Sequence, residues 1–541
     1  MNRNNFHLHS HKENHVTCLI NMKSKVFTLL KVFSGIILFL LITSVVAIVW
    51  PMPQLKPPAR YNTIFIKSIN IIDVKTGDLL RNRDVLVKDN VILAIDTFGI
   101  LESQETSFVL DGANKYLLPG LWDMHTHSNH HSEWLHHPLY IANGVTGVRD
   151  MSGQLNKRDS YFVGSKERLI WNDELNDHKR VAPRYVLQSS FQIDGAFSVP
   201  EGFPQFLKLQ QSEDVDSLLH FYKNEKVDFI KVYDQIPPAS FKKLAQQASR
   251  YGMHIAGHKP IFVSLQDAIV LGQRSFEHGR IFLTECFPNA DSLRTANNWK
   301  AFYSKSRKSM VKEYNPELAK KLMLLMKEYN THWCPTLQTL KFEAFAHEPS
   351  FQQNPNLKYI NYISRKLWWD GDVRNNTKRN LSKEGKNNSA DFYMAAKEQI
   401  RIANEIGVPI MTGTDVSDSY IFAGFSLHNE LEDLVKSGLS NVKALQSATI
   451  VPAKYAGMDI AYGTIDIGKM ADLIILDKNP LEDITNSKTI CGVIVNGAYF
   501  DSNKIEELKE FTESLSLSFH VNVKVLYSLI SSPLIRMQWA D

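Results

Sequence analysis

The chain has 541 residues, 44% of them hydrophobic and 22% charged, with a formal net charge of +4 at neutral pH. The near-balance of 61 Lys and Arg against 57 Asp and Glu excludes a nucleic-acid binder driven by phosphate contacts, and the supply of large apolar residues excludes bulk disorder. Cys18, Cys286, Cys334 and Cys491 are too few and too scattered for a disulfide framework or a Cys-ligated zinc site.

Residues 1–31 read as a polar, irregular cytoplasmic segment, in which His7, His9 and His11 alternate. Residues 32–50 (VFSGIILFLLITSVVAIVW) hold no charge and are long enough to span the hydrocarbon core as one helix. Lys23, Lys25 and Lys31 precede the run, so the remainder of the chain is expected outside the cytoplasm, in a periplasmic or extracellular space. The run ends in Ala47-Ile48-Val49-Trp50, a poor cleavage site, which favours a retained transmembrane anchor over secretion after signal cleavage.

A Pro-rich linker leads into residues 59–118, where short β-branched runs are separated by turn signals. This segment is expected to be the first half of a small β-sandwich. Over residues 119–455 short apolar runs alternate with amphipathic stretches, which predicts a parallel α/β fold, and the length suits a (β/α)8 TIM-type barrel. An insertion at about 341–391, rich in Asn and Lys around Leu367-Trp368-Trp369, is expected to be a lid or a mobile surface element. The β pattern returns over residues 456–502, the expected second half of the sandwich, so that the barrel is an insertion into it. Residues 503–541 form a tail in which Phe511, Leu515, Leu517 and Phe519 keep no single period.

The strongest chemical signal is Pro119 to His127, an apolar run that ends in His125-Thr126-His127. On a strand, positions i and i+2 point to the same side, so two imidazoles converge at the strand's C-terminal end. Active sites of barrels lie at that end, and imidazole suits Zn2+ and its neighbours. Lys231 sits inside Phe229-Ile230-Lys231-Val232-Tyr233, where a buried cation is costly. Its options are to reach out of the core, to lose its charge, or to react with CO2 and become an anionic ligand. His258, His278 and Asp415 each close a further apolar run. Tyr233 shares the lysine's face, and Arg149 and Lys259 are candidates to bind a substrate carboxylate. Asp194 and Gly195 are expected near the mouth of the site. His130, His131, His136 and His137 read as surface or helix residues, and Cys334 as a packed one.

The blocks LLPGLWDMHTHS, FIKVYD, IAGHKP, SFEHG, MTGTDVS and GKMADLIILDKNPLEDI together resemble the metal-dependent amidohydrolase superfamily, from about Asn62 to Phe500. Within it the chain is most similar to the prolidase-like and imidazolonepropionase-related branch. The resemblance implies two divalent ions, with zinc the first expectation and Mn2+, Co2+ and Fe2+ open. His125, His127 and Asp415 would hold one ion, His258 and His278 the other, and a carboxylated Lys231 would bridge them. It further implies attack by a hydroxide shared between the ions, with Asp415 as the proton shuttle. Single-metal deaminases of the superfamily lack the bridging lysine, so Lys231 favours hydrolysis of an amide, peptide or cyclic amide. A dipeptidase, a prolidase-like enzyme or an N-acyl amino acid amidohydrolase fits this description. A lactonase or phosphotriesterase on the same metal pair, or a catalytically silent binding barrel, are the competing readings.

Overall fold

The computed structural model describes residues 6–102, 108–155, 158–195, 199–382 and 388–540. Residues 1–5 of the expected N-terminal segment, Ala196 and Phe197 of the loop after Asp194, residues 383–387 of the expected insertion and Asp541 lie outside the described residues.

The N-terminus is one helix, Phe6–Val49, instead of an irregular segment followed by a span. Residues 6–24 contain neither Pro nor Gly, so nothing stops the helix of the apolar run from continuing upstream. Its portion Lys25–Val49 is long and apolar enough to cross a membrane.

Among the described residues fifteen strands follow. β1 (Thr63–Asp73), β2 (Asp78–Lys88), β3 (Val91–Thr97), β4 (Phe108–Asp111) and β5 (Tyr116–Pro119) come first. Then come β6 (Leu121–Thr126), β7 (Val145–Asp150), β8 (Arg184–Gln188), β9 (Phe229–Val232), β10 (His254–Gly257), β11 (Gln273–Glu277) and β12 (His332–Cys334), with helices between them. β13 (Leu473–Leu476), β14 (Ile490–Val495) and β15 (Ala498–Asp501) close the series.

The early and late β blocks join in one eight-stranded mixed sheet ordered β15-β14-β13-β5-β1-β2-β3, with β4 also on β1. The seam is β5 against β13, where Leu117 faces Ile475 and Pro119 faces Leu473 in antiparallel register. Ile64, Ile66, Ile71, Val85, Leu473 and Ile494 make the core of this sheet.

The seven strands β6 to β12 pair in parallel as two sheets, β6-β7-β8 and β9-β10-β11-β12. Parallel bridges Ser189 to Phe229 and Ile193 to Val232 join them at one side. On the other side Trp333 bridges Ile410, and Thr126 bridges Val416. The segment 408–412 thereby stands between β12 and β6, with Met411 N donating to Trp333 O (2.8 Å) and Met124 N to Thr412 O (3.0 Å). The parallel pairings thus run in a circuit that returns to its first strand. β6, β7 and β9 are buried along their whole length, which is why these runs read as continuous apolar stretches and not as alternation.

The expected lid is helical over most of its described length. It includes Leu337–Phe345, Asp370–Leu381 and the start of Asn388–Ile406. Trp369, Leu357 and Phe342 pack with Tyr420 and Phe422, so this layer is seated on the loop that follows Asp415. The tail is helical too, as Ser502–Ser516, Phe519–Ser531 and Pro533–Ala540. Asp501 and Ser518 cap the first two by accepting Lys504 N (2.8 Å) and Val521 N (3.2 Å). Three short helices with breaks at Leu517-Ser518 and Ser532 cannot share one period, so the apolar pattern of the tail does not read as a single helix.

Gly257 ends β10 at φ +130°, where the backbone of Val232 on β9 passes so close that a Cβ would run into its carbonyl oxygen. Gly257→Ala should therefore destabilise the folded chain by about 2–3 kcal/mol. Thermal denaturation of the variant beside the parent reads this directly, and an unchanged midpoint would contradict the close approach.

Candidate metal centre

Six side chains named from the sequence meet at the C-terminal ends of the parallel strands. His125 comes from β6 and His127 from the residue just after it, Lys231 from β9, His258 and His278 from the residues just after β10 and β11, and Asp415 from the segment after 408–412. Asp415 Oδ1 lies 2.9 Å from His127 Nε2 and 3.3 Å from His125 Nε2, and its Oδ2 lies 3.6 Å from His278 Nδ1. The Nε2 atoms of His125 and His127 are 3.2 Å apart, and those of His258 and His278 are 3.0 Å apart. Lys231 Nζ stands 3.5 Å from His127 Nε2. Ligand atoms of His125, His278 and Asp415 all fall within 4.8 Å of one another.

The far sides of three of these imidazoles are taken. His125 Nδ1 meets Glu277 Oε2 at 2.9 Å, His258 Nδ1 meets Asp234 Oδ1 at 2.9 Å, and His278 Nδ1 meets Thr336 Oγ1 at 2.8 Å. A ring whose Nδ1–H is donated presents a lone pair at Nε2. Two such lone pairs about 3 Å apart repel unless a cation lies between them. The donor set of imidazoles, one carboxylate and a lysine therefore fits a divalent metal.

The electrostatics agree. Burial, aided by Lys231, pulls the His127 imidazole down to about 4, so it is neutral at ordinary pH. Burial would raise the Asp415 carboxyl, but His125 and His127 override it and hold the group well below the usual range. Burial lowers the Lys231 amine to about 8, with Asp415 and Glu277 pulling the other way. A neutral amine is the form that reacts with CO2. A second grouping of His125, Glu277 and Cys334 is close enough to hold an ion. Its chemistry is unsuitable, because burial keeps Cys334 a thiol and Glu277 already serves Arg149.

His278 and Asp415 both adopt positive φ (70° and 71°), as does Thr336 (42°). For residues with a side chain this conformation costs energy and persists where surrounding structure enforces it. Asp123 supplies part of that enforcement. It accepts Thr414 N (3.0 Å) and Thr414 Oγ1 (2.6 Å), as well as His125 N (3.2 Å), tying β6 to the turn that carries Asp415.

Of the residues expected to touch substrate, Tyr233 lies at the centre. Its ring stacks on His258 at 3.9 Å and lines a cavity of about 250 Å3 over His127 and Asp415. Phe162, Phe191, Met151, Trp368 and Ile535 give that cavity an apolar wall. Arg149 lies elsewhere: it is fully buried beneath His125, with both Nη2–Glu277 contacts at 2.8–2.9 Å, Nη1 on Ser275 Oγ and Nε on Met124 O. Its guanidinium has no face toward open space. Lys259 is also buried, on Val263 O (2.9 Å) and Glu285 (3.3 Å), beside a second cavity of about 220 Å3 that Arg280 and Asp234 share. Asp194 accepts Gln235 N (2.7 Å) and stays inside. His131 and His137 are buried and not on the surface, on Ser528 Oγ and Tyr185 OH, both at 2.7 Å, and His137 opens the helix His137–Ala142.

Sequence reading left Glu277, Asp234, Asp123 and Thr336 without roles, although each orients a ligand or its loop. The signal that singled out Lys231, a charge within an apolar run, is equally present at Glu277 in Ser275-Phe276-Glu277 and at Asp123 in Leu121-Trp122-Asp123-Met124.

The amidohydrolase family model matches residues 387–499. Among solved structures, the chain is similar to a Xaa-Pro dipeptidase with bound methionine, at 20% identity and a TM-score of 0.56, covering 81% of this chain and 100% of that one. It is similar to the bottromycin amidohydrolase, at 23% identity and a TM-score of 0.64, covering 84% and 91%. It is also similar to the A. niger ochratoxinase, at 17% identity and a TM-score of 0.54, covering 82% and 97%. No curated protein matches the chain. At these identities the solved structures speak for the fold alone, and the family match over residues 387–499 agrees with the resemblance to the amidohydrolase superfamily.

The pair Arg149–Glu277 is fully buried, and burial of Glu277 is outweighed by Arg149 and His125, which lower its carboxyl from 4.5 to about 2. A carboxylate depressed on folding contributes stability that is whole above its unfolded pKa and lost as pH falls through the folded one. The contribution should thus fade between about pH 4.5 and about pH 2. Arg149→Met should cost about 3–5 kcal/mol at neutral pH, because it strands a buried carboxylate, and the loss should shrink on acidification. Chemical denaturation across pH measures both, and a pH-independent loss would contradict the pairing.

Proposed function

We propose that this protein is a metal-dependent hydrolase of C–N bonds, acting on an amide, peptide or cyclic amide. The observation that carries the reading is the convergence of the His125, His127, His258 and His278 rings with Asp415 and Lys231 around one space, three of the rings held from behind at Nδ1. We read the parallel circuit, β6 to β12 with segment 408–412 as its eighth member, as a (β/α)8 barrel spanning residues 119–455 and inserted into the domain of the mixed sheet. The helix ending at Val49 is read as an anchor that leaves the catalytic part outside the cytoplasm, since its basic flank precedes the span.

His125, His127 and Asp415 would hold one divalent ion, His258 and His278 a second, and Lys231, carboxylated, would bridge them. The ions, when bound, supply Lewis acidity toward the scissile carbonyl and lower the pKa of water. Asp415 accepts the proton of the attacking water and delivers it to the leaving nitrogen. One water is consumed, the C–N bond breaks, and a carboxylate and an amine leave. Burial holds the Tyr233 hydroxyl protonated, so it donates a hydrogen bond to the substrate. Arg149 positions His125 through Glu277 and does not meet substrate. Lys259, beside Arg280, is left to serve an anionic end of the substrate in the second cavity.

Metal content is the first test. Purified without chelator, the protein should carry about two metals per chain, and Lys231→Ala about one, with added short carboxylic acids restoring part of the loss. One metal retained in both would sink the bridging role and favour deaminase-type chemistry. In the metal-loaded enzyme Asp415→Asn should lower kcat by roughly 10²–10⁴-fold on amide or dipeptide substrates. Turnover of lactones or phosphotriesters with amides untouched would replace the C–N reading.

A further inference from the structure

The cavity over Asp415 shares its wall with the seat of the N-terminal helix. In the last turns of that helix Thr43, Ser44, Ala47 and Ile48 are shielded, while Phe39, Leu40, Val45 and Val46 stay exposed. The shield is the helix Phe519–Ser531, whose Lys524 Nζ donates to Ile48 O at 2.5 Å and whose His520 donates to Trp50 O at 3.1 Å. At 1.5 Å per residue, Thr43 to Val49 covers roughly 9 Å. The C-terminal helix therefore runs beside the end of the apolar span, not beyond it.

That helix is apolar on two sides. Val521, Val525 and Leu529 point inward and pack with Leu135, Tyr161 and Ile535. Phe519, Tyr527 and Ile530 point outward, with Tyr527 50% and Ile530 57% exposed. Positions 519, 523, 527 and 530 fall on one face, and Lys524 is the helix's only charged residue. Water is a poor solvent for such a face, whereas the boundary between headgroups and acyl chains suits it. Trp50 is exposed where the span ends, the position at which tryptophan marks a membrane interface. The inward neighbours of the same helix, Tyr161 and Ile535, also line the cavity, together with His127 and Asp415.

We propose that the helix Phe519–Ser531 lies in the interface of the bilayer that holds the N-terminal helix, that the cavity opens at that surface, and that the substrate is an amphiphile of the same leaflet. Its apolar arm enters along Ile535, Phe162 and Trp368, and its amide reaches the centre at Asp415. This rests on the C–N hydrolase reading and on the N-terminal helix being retained. The substrate class is an N-acyl amide with a long hydrocarbon chain, and hydrolysis consumes one water and releases a fatty carboxylate and an amine.

The test uses the metal-loaded full-length chain in phosphatidylcholine–phosphatidylglycerol liposomes. A fluorescent dye is placed at Ile530→Cys with Cys18→Ser and Cys491→Ser, and quenched from either side. Quenching by brominated lipids supports the placement, and quenching by aqueous iodide with lipids inert overturns it. In parallel, N-dodecanoyl and N-acetyl derivatives of one amino acid are compared. The long-chain compound should show kcat/KM at least about tenfold higher, and the double variant Tyr527→Glu, Ile530→Glu should lose about that factor while the acetyl compound is unaffected. Equal rates on the two compounds overturn the substrate class. If both amides are inert while lactones or phosphotriesters react, the C–N reading has failed, and the dye still decides the placement. A mature protein beginning near residue 50 overturns it outright.

Discussion

The centre of this molecule depends on holding imidazoles from behind. His125, His258 and His278 each have Nδ1 fixed by a partner, and only then do their Nε2 atoms face a common space. The partners are themselves fixed. Glu277 is clamped by Arg149 and Ser275, and Arg149 in turn donates to the backbone of β6 at Met124. A chain of buried charges therefore links β11, β7 and β6 beneath the site. Alone, each of these charges would be costly in the core; paired and hydrogen-bonded, they set ring orientations that an apolar core could not specify.

The same arrangement explains how much could be read without coordinates. The side chains that converge at the ends of apolar runs were legible because a strand buried on both faces shows as a short unbroken stretch, and a His, Lys or Asp at its end stands out. The fold class followed from the alternation of such runs with amphipathic segments. What could not be read was which charges serve the ligands. Arg149 resembles a substrate-binding arginine in the sequence, yet the partner that claims it, Glu277, lies four strands further around the circuit, on β11. Long-range pairing leaves no local trace. The tail was illegible for another reason: Val521, Val525 and Leu529 face inward while Tyr527 and Ile530 face outward, which erases the contrast that makes a helix visible as a stripe.

Two of the residues at the centre, His278 and Asp415, sit in left-handed backbone. His278 follows β11 directly and Asp415 follows the segment 408–412 by three residues, so the chain turns sharply where these side chains are presented. Thr414, bound twice by Asp123, and the Trp333 ring nitrogen, donating to His278 O at 2.9 Å, hold these turns from either side. Local conformational cost is thus met by contacts from neighbouring strands, which is how functional sites usually retain strain.

The seam between β5 and β13 carries a consequence for the order of assembly. β6, which bears His125 and leads into His127, follows β5 almost without a break, and β5 is flanked by β13 from the far side of the circuit. All seven parallel strands β6 to β12 must be synthesised before that neighbour exists. Contacts of such sequence separation slow folding, because the loop-closure entropy is lost before the contact is gained. Until β13 arrives, β5 presents an open hydrogen-bonding edge of apolar residues, Leu117 and Leu118 among them, of the kind that invites pairing with another chain. Folding of this protein should therefore be limited by a late, long-range step, with the nascent chain vulnerable to aggregation before it.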